Sequence, residues 1–173
     1  SASFALLAYV SSWLKYYHPA VFTCALLNSQ PMGFYAPSQL VQDACRHGVS
    51  VLPVDVNHSA WDCTLIYEGI DAQAPAIRLG LRQVKGLSRV GAQQLCQARR
   101  GGAYRSVQSM VERSGINASD RESLAAADAL RPLSQDRYRA FWDVAGYEAK
   151  LPLFENAQDW PQAIAELSIM LPK

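Results

Sequence analysis

The chain has 173 residues, half of them apolar, with 16 basic and 15 acidic side chains and a formal net charge of +1. That is enough apolar material for a buried core in one domain or two small ones. No apolar run reaches the roughly 18 residues a membrane span needs, and no basic residue precedes the apolar stretch Phe4–Val10 as a secretion signal would require.

In chain order, Phe4, Leu7, Val10, Leu14 and Tyr17 recur at helical spacing, so residues 3–17 read as a mostly buried helix. Pro19 suits the first position of a second helix running to Asn28. A loop follows over residues 28–33. Pro37–His47 reads as a third helix, stopped by Gly48. The period then changes: Val49–Val54, Trp61–Tyr67 and Ala76–Leu79 read as strands, with a turn at Glu68-Gly69. From Gly80 onward the pattern is helical again, with short helices expected at 80–85, 90–100, 106–114, 119–129 and 134–145. Ser119 and Glu122 have capping-box spacing. The two successive helical pairs suggest a duplicated unit. The pattern breaks after Gly146, with a last short helix expected at 161–170. The expected fold class is mainly α with a small β patch, or α+β.

Charge is unevenly placed. Between Ala72 and Met110 there is no Asp or Glu, yet the window holds Arg78, Arg82, Lys85, Arg89, Arg99, Arg100 and Arg105. A near-neutral chain with one basic block implies a localised anion-binding face.

The stretch Gly80–Leu95 carries the chemistry. It reads as a short helix, a glycine-bearing hairpin and a second helix. Gly86 permits the positive φ of a tight hairpin, and Leu87 and Val90 are expected to tuck into the core. Backbone N–H groups of the hairpin and of the next helical turn are then free to meet a phosphate oxygen at a positive dipole end. The expected DNA-binding residues are Lys85, Gly86, Leu87, Ser88, Arg89, Gly91, Arg99, Arg100 and Arg105. Such a site reads phosphates and not bases, so binding should be independent of sequence and sensitive to salt. The alternative is a glycine turn that only packs. Ser88 and the late Gly91 depart from the usual Gly-hydrophobic-Gly hairpin, which leaves the individual phosphate contacts open.

Other features have plainer readings. Cys24, Cys45, Cys63 and Cys96 form no C-x-x-C pair and read as reduced structural thiols of a cytoplasmic protein. Cys45, His47, His58 and Cys63 match no common zinc spacing. Trp13, Tyr16, Tyr17 and Phe22 would stack on bases, but their helical spacing favours core. Arg121, Arg137 and Arg139 either extend the phosphate face or are solvated helix surface. No Asp-x-Asp or Gly-x-Ser-x-Gly occurs, so no catalytic residue is assigned.

The order of segments resembles the alpha subunit of bacterial DNA polymerase III, a C-family polymerase. The resemblance rests on Phe4–Lys15, Tyr17–Phe22, Ala25–Asn28, Val51–Asn57, Ile77–Leu81, Val84–Gly86, Leu124–Leu133 and Arg137–Asp143, and covers about residues 1–147. Tyr35–Asp43 and Ala140–Val144 look nearer the error-prone paralogue of the damage-induced mutasome. The resemblance implies that residues 1–75 are the C-terminal part of the fingers domain. Residues 76–147 would be a tandem helix-hairpin-helix module holding template-primer duplex, and 148–173 a linker or tail. The chain opens on Ser1-Ala2-Ser3 without Met and is expected to be a piece of a larger protein.

The family's catalytic aspartates and their magnesium ions would lie upstream. The whole enzyme would be a DNA-directed DNA polymerase acting in replication, repair and translesion synthesis during SOS mutagenesis, and this piece alone would be inactive, with no cofactor. Leu151, Leu153 and Phe154 resemble the end of a sliding-clamp motif, with Lys150 where the motif has Gln; an interdomain linker is an equal reading. Expected partners are duplex or template-primer DNA, accessory mutasome proteins and the clamp, and no membrane. Two alternatives are a non-catalytic helix-hairpin-helix scaffold and a protein-interaction module with a basic face.

Overall fold

The computed structural model describes residues 2–33, 35–67 and 74–134, with Val144 and Gly146. Three helices come first: α1 (Ala2–Tyr17), α2 (Pro19–Asn28) and α3 (Pro37–Arg46). Pro19 and Pro37 stand at helix starts, where a missing N–H leaves no bond unmade. Gly48, at φ +77°, follows the end of α3.

α1 departs from expectation. It has no buried residue; Phe4, Leu7 and Trp13 are 74%, 65% and 44% exposed. The helix packs on α2 and is pinned to α3 by a 2.8 Å ion pair between Lys15 and Asp43. Lys15 also holds the Asp43 carboxyl below its ordinary range by hydrogen bonding. Because α1 is apolar around most of its circumference, α2 alone cannot cover it. The expectation that Trp13, Tyr16 and Tyr17 are core is therefore corrected: they are exposed, and Trp13 and Tyr17 lie against each other with ring centroids 5.0 Å apart. Phe22 is half-buried.

The β patch is smaller than its apolar pattern suggests. β1 (Val51–Leu52), β2 (Thr64–Ile66) and β3 (Ala76–Arg78) form one sheet in the order β1-β3-β2. β3 runs parallel to β1, with Val51 opposite Ile77, and antiparallel to β2, with Leu65 opposite Ile77. Pro53, which has no N–H for a ladder, follows the end of β1. Ile77 is fully buried in a core with Ala20, Cys24, Leu27, Ala44 and Cys63. Since β3 is the middle strand, the expected division at 75/76 runs through the sheet.

A single 3₁₀ turn (Leu81–Gln83) leads to α4 (Arg89–Arg99), α5 (Val107–Ser114) and α6 (Ala118–Ala126). They enclose a second core around Leu81, Leu95, Met110, Leu124 and Leu130. Val54 and Val56 join this core from the β1 side. The loop after β1 is fixed to the helices by polar bonds: Val56 N–H donates to the Ala129 carbonyl (3.2 Å), and Asn57 exchanges two bonds with the Tyr104 backbone (2.8 and 3.0 Å). Inside the loop, Ser59 Oγ accepts from Asp55 N–H (3.0 Å) and donates to the Leu79 carbonyl (2.7 Å).

α6 begins differently from expectation. Its N-cap is Asn117, whose Oδ1 accepts from Asp120 N–H at 2.7 Å, and not Ser119. The Asn amide oxygen reaches the third-position N–H, as an N-cap should. The turn expected at Glu68-Gly69, most of the helix expected at 134–145, Arg137, Arg139 and the whole of 148–173, including Leu151, Leu153 and Phe154, lie outside the described residues.

All four cysteines are free: Cys24 and Cys63 are buried, Cys45 is exposed and Cys96 is half-buried. Burial pushes the Cys24 thiol up to about 11 and also raises Cys63. A thiol is nucleophilic only as the thiolate. At pH 8 an aromatic disulfide reagent should label Cys45 in the native chain, and Cys24 and Cys63 only after denaturant is added. Labelling of Cys24 in the native chain at the rate of Cys45 would contradict the packing of α2 on the sheet.

Candidate nucleic-acid interface

Two hairpins with the same local design lie in the helical half. In the first, Gly86 (φ +89°) precedes buried Leu87 and the N-cap Ser88 of α4. In the second, Gly115 (φ +63°) precedes buried Ile116 and the N-cap Asn117 of α6. Glycine suits the left-handed backbone, the apolar residue anchors the turn, and the cap side chain starts the helix. Both turns thus share one local plan of glycine, buried apolar residue and N-cap.

Besides their shared core, the two units are tied by one buried carboxylate. Asp120 is 2% exposed. Its Oδ1 accepts from Ser88 N–H at 2.7 Å, and its Oδ2 accepts from Ser88 Oγ–H at 2.8 Å. Ser88 Oγ in turn accepts from Gly91 N–H at 2.9 Å. Gly91 and Asp120 occupy the same position, third in the helix after the cap, in their respective units. A Cβ on Gly91 would stand 2.2 Å from Asp120 Oδ2. Gly91 is therefore required by the carboxylate of the other unit. The late Gly91 does not lengthen the hairpin: α4 starts directly after Ser88.

This arrangement changes the inventory of free N–H groups. Those of Ser88 and Gly91 are taken. Among the described residues, the N–H groups of Gly86, Arg89 and Val90 meet no acceptor. Leu87 is in the core as expected, but Val90 is 64% exposed, because the second position of α4 faces out of the hairpin mouth. Lys85 and Arg89 are exposed beside these amides. The mouth therefore combines outward N–H groups, a helix N-terminus and two cations, which together suit an anion.

The remaining basic residues divide. Arg99 turns inward: its Nη1 donates to the carbonyls of Val56 (2.9 Å) and Ser59 (3.0 Å). Arg82 likewise donates to the carbonyls of Asn28 and Gln30 (both 2.7 Å) and to Asp62 (2.8 Å). Arg113 closes the far end of α4 by donating to the Ala98 (2.7 Å) and Gly102 (2.8 Å) carbonyls. Arg100 and Arg105 are exposed, but they follow the C-terminal end of α4, roughly 16 Å from the mouth by helical rise. The hairpin thus brings together Lys85, Gly86, Leu87, Ser88, Arg89 and Gly91, and leaves Arg99, Arg100 and Arg105 elsewhere. Arg121 is half-buried on α6.

Asp120 escaped the sequence reading because it lies beyond the acid-free window. Aligning Gly86-Leu87-Ser88 with Gly115-Ile116-Asn117 would have paired it with Gly91 and exposed the small-against-acid complementarity. His58 is committed to Asp55 (2.7 Å), and among the described residues no three His, Cys, Asp or Glu side chains are placed to hold a metal ion. No helix among these residues is long and apolar enough to cross a membrane.

The family model for the helix-hairpin-helix motif matches residues 48–140. Among curated relatives, the protein named error-prone DNA polymerase from Methylococcus capsulatus is 55% identical over 91% of this chain, which covers 17% of its length. The protein of the same name from Alkalilimnicola ehrlichii is 57% identical over 90% of the chain and 15% of its own length. A third, from Pseudomonas aeruginosa, is 48% identical over 99% of the chain and 16% of its own length. The chain thus spans about a sixth of these relatives.

Asp120→Ala would remove the acceptor of both the Ser88 N–H and its hydroxyl. It should destabilise the chain by about 1–3 kcal/mol in urea unfolding. A variant as stable as the parent would remove Asp120 as the tie between the hairpins.

Proposed function

The chain belongs to the helix-hairpin-helix motif family, and on that footing we propose that it is the part of a bacterial error-prone DNA polymerase that grips template-primer duplex by its backbone phosphates. One observation carries the reading: the outward N–H groups of Gly86, Arg89 and Val90 share a mouth with exposed Lys85 and Arg89. A phosphate oxygen is the anion that such a shallow, amide-lined cation site suits, and it holds no information about base identity. The relatives' names supply the polymerase context. Arg100 and Arg105, exposed beyond the far end of α4, would meet phosphates further along the duplex.

In the whole polymerase, magnesium-assisted nucleotidyl transfer would take place on carboxylates outside this chain. Translesion synthesis in the SOS response, a cytoplasmic location, and association with accessory mutasome proteins and the sliding clamp belong to the same proposal. Leu151, Leu153 and Phe154 would provide the clamp contact.

The test is anisotropy of the chain with labelled duplexes of two unrelated sequences, across salt concentrations. Equal affinities and a steep linear fall of log K with log salt are expected, with a slope of about −0.9 per phosphate neutralised. Lys85→Ala/Arg89→Ala should flatten that slope by about 2. An unchanged slope would overturn the placement of the phosphate at this mouth.

A further inference from the structure

Trp61 lies outside both hairpins, in the segment between β1 and β2, yet it reaches the hairpin mouth. It is half-buried against the helical core. The Arg89 guanidinium stands over its ring, 5.9 Å from the centroid. Arg89 is the first residue of α4 and one of the two cations at the mouth.

The backbone beneath the ring is held from several directions. Leu81 N–H donates to the Ala60 carbonyl (2.8 Å), and Arg82 N–H donates to the Trp61 carbonyl (3.0 Å). Asp62 Oδ1 accepts from Arg82 Nη1 at 2.8 Å. The chain passes so close to Gly80 that a Cβ there would stand 2.4 Å from both the Trp61 carbonyl oxygen and the Asp62 carbonyl carbon. The ring is thus a fixed platform, whereas an exposed Arg89 alone would sample many rotamers. Holding a long cationic side chain in place before it binds reduces the ordering cost of the contact.

We infer that Trp61 is a positioning residue for the phosphate contact, fixing Arg89 over the hairpin mouth by a cation–π interaction. The inference rests on the phosphate-gripping reading and extends that surface to a residue from the strand-bearing half of the chain. The Arg89 guanidinium stands over the indole, so Trp61 acts through Arg89.

A double-mutant cycle on the intact chain tests it, with duplex affinity and salt slope as readouts. Trp61→Leu should weaken binding about two- to fivefold, while Trp61→Phe, which keeps a π face, should recover most of the affinity. In an Arg89→Ala background, Trp61→Leu should have no further effect, because nothing is left to position. An equal loss in both backgrounds would overturn the inference by making Trp61 a structural residue only. So would full affinity in Trp61→Leu while Arg89→Ala is impaired. If Arg89→Ala itself binds normally with an unchanged slope, the phosphate reading of the mouth fails, and the inference with it; that outcome is distinguishable from the other two.

Discussion

The helical half of the molecule depends on one buried carboxylate. Asp120 belongs to the second hairpin unit but completes the first, by accepting both the N–H and the hydroxyl of Ser88. A buried carboxylate is tolerated only when its oxygens are satisfied. Here the satisfying groups are the cap of the neighbouring helix, and the absence of a side chain at Gly91 makes the space. The units are therefore alike in plan but unlike at the position where the carboxylate ties them. Two identical copies would bring either two glycines together, with no tie, or two carboxylates together, with mutual repulsion.

From that tie the rest of the packing follows outward. The loop after β1 inserts Val56 between the helices and joins Asn57 to the Tyr104 backbone. Arg82 and Arg99 carry their charge inward to backbone carbonyls. These arginines stitch the sheet to the hairpins, so a count of basic residues overstates the charge available to a ligand. The sheet is a junction between the halves: its middle strand comes from the chain leading into the hairpins, and its edges come from the preceding segment.

Much of this was legible in the residues. Prolines and glycines marked the starts of α2 and α3 and the first hairpin, because their backbone constraints act locally. The change of period at residue 49 marked the sheet. What was not legible depended on distant partners. The exposure of α1 follows from which surfaces α2 covers, and an apolar pattern states only that burial is favourable. Val90 looked like core from its type, but its place in the first turn of α4 points it outward. Ser119 and Glu122 have the spacing of a cap, yet Asn117 holds the position because Ile116 must be buried one residue after Gly115. Arg99 differs from Arg100 only by one step of helical rotation, which turns one guanidinium toward Val56 and leaves the other in solvent.

The Asp120–Ser88 tie also bears on how quickly a ligand is captured. Because a carboxylate within the chain already satisfies the cap of α4, the first turn of that helix is formed before any phosphate arrives. Such a surface needs no disorder-to-order transition on encounter, so association is governed by diffusion and long-range attraction rather than by folding of the receptor. Dissociation then leaves the geometry intact, ready to re-engage at the next phosphate along the duplex. If the proposed grip on template-primer duplex holds, repeated release and recapture without refolding would amount to a sliding grip.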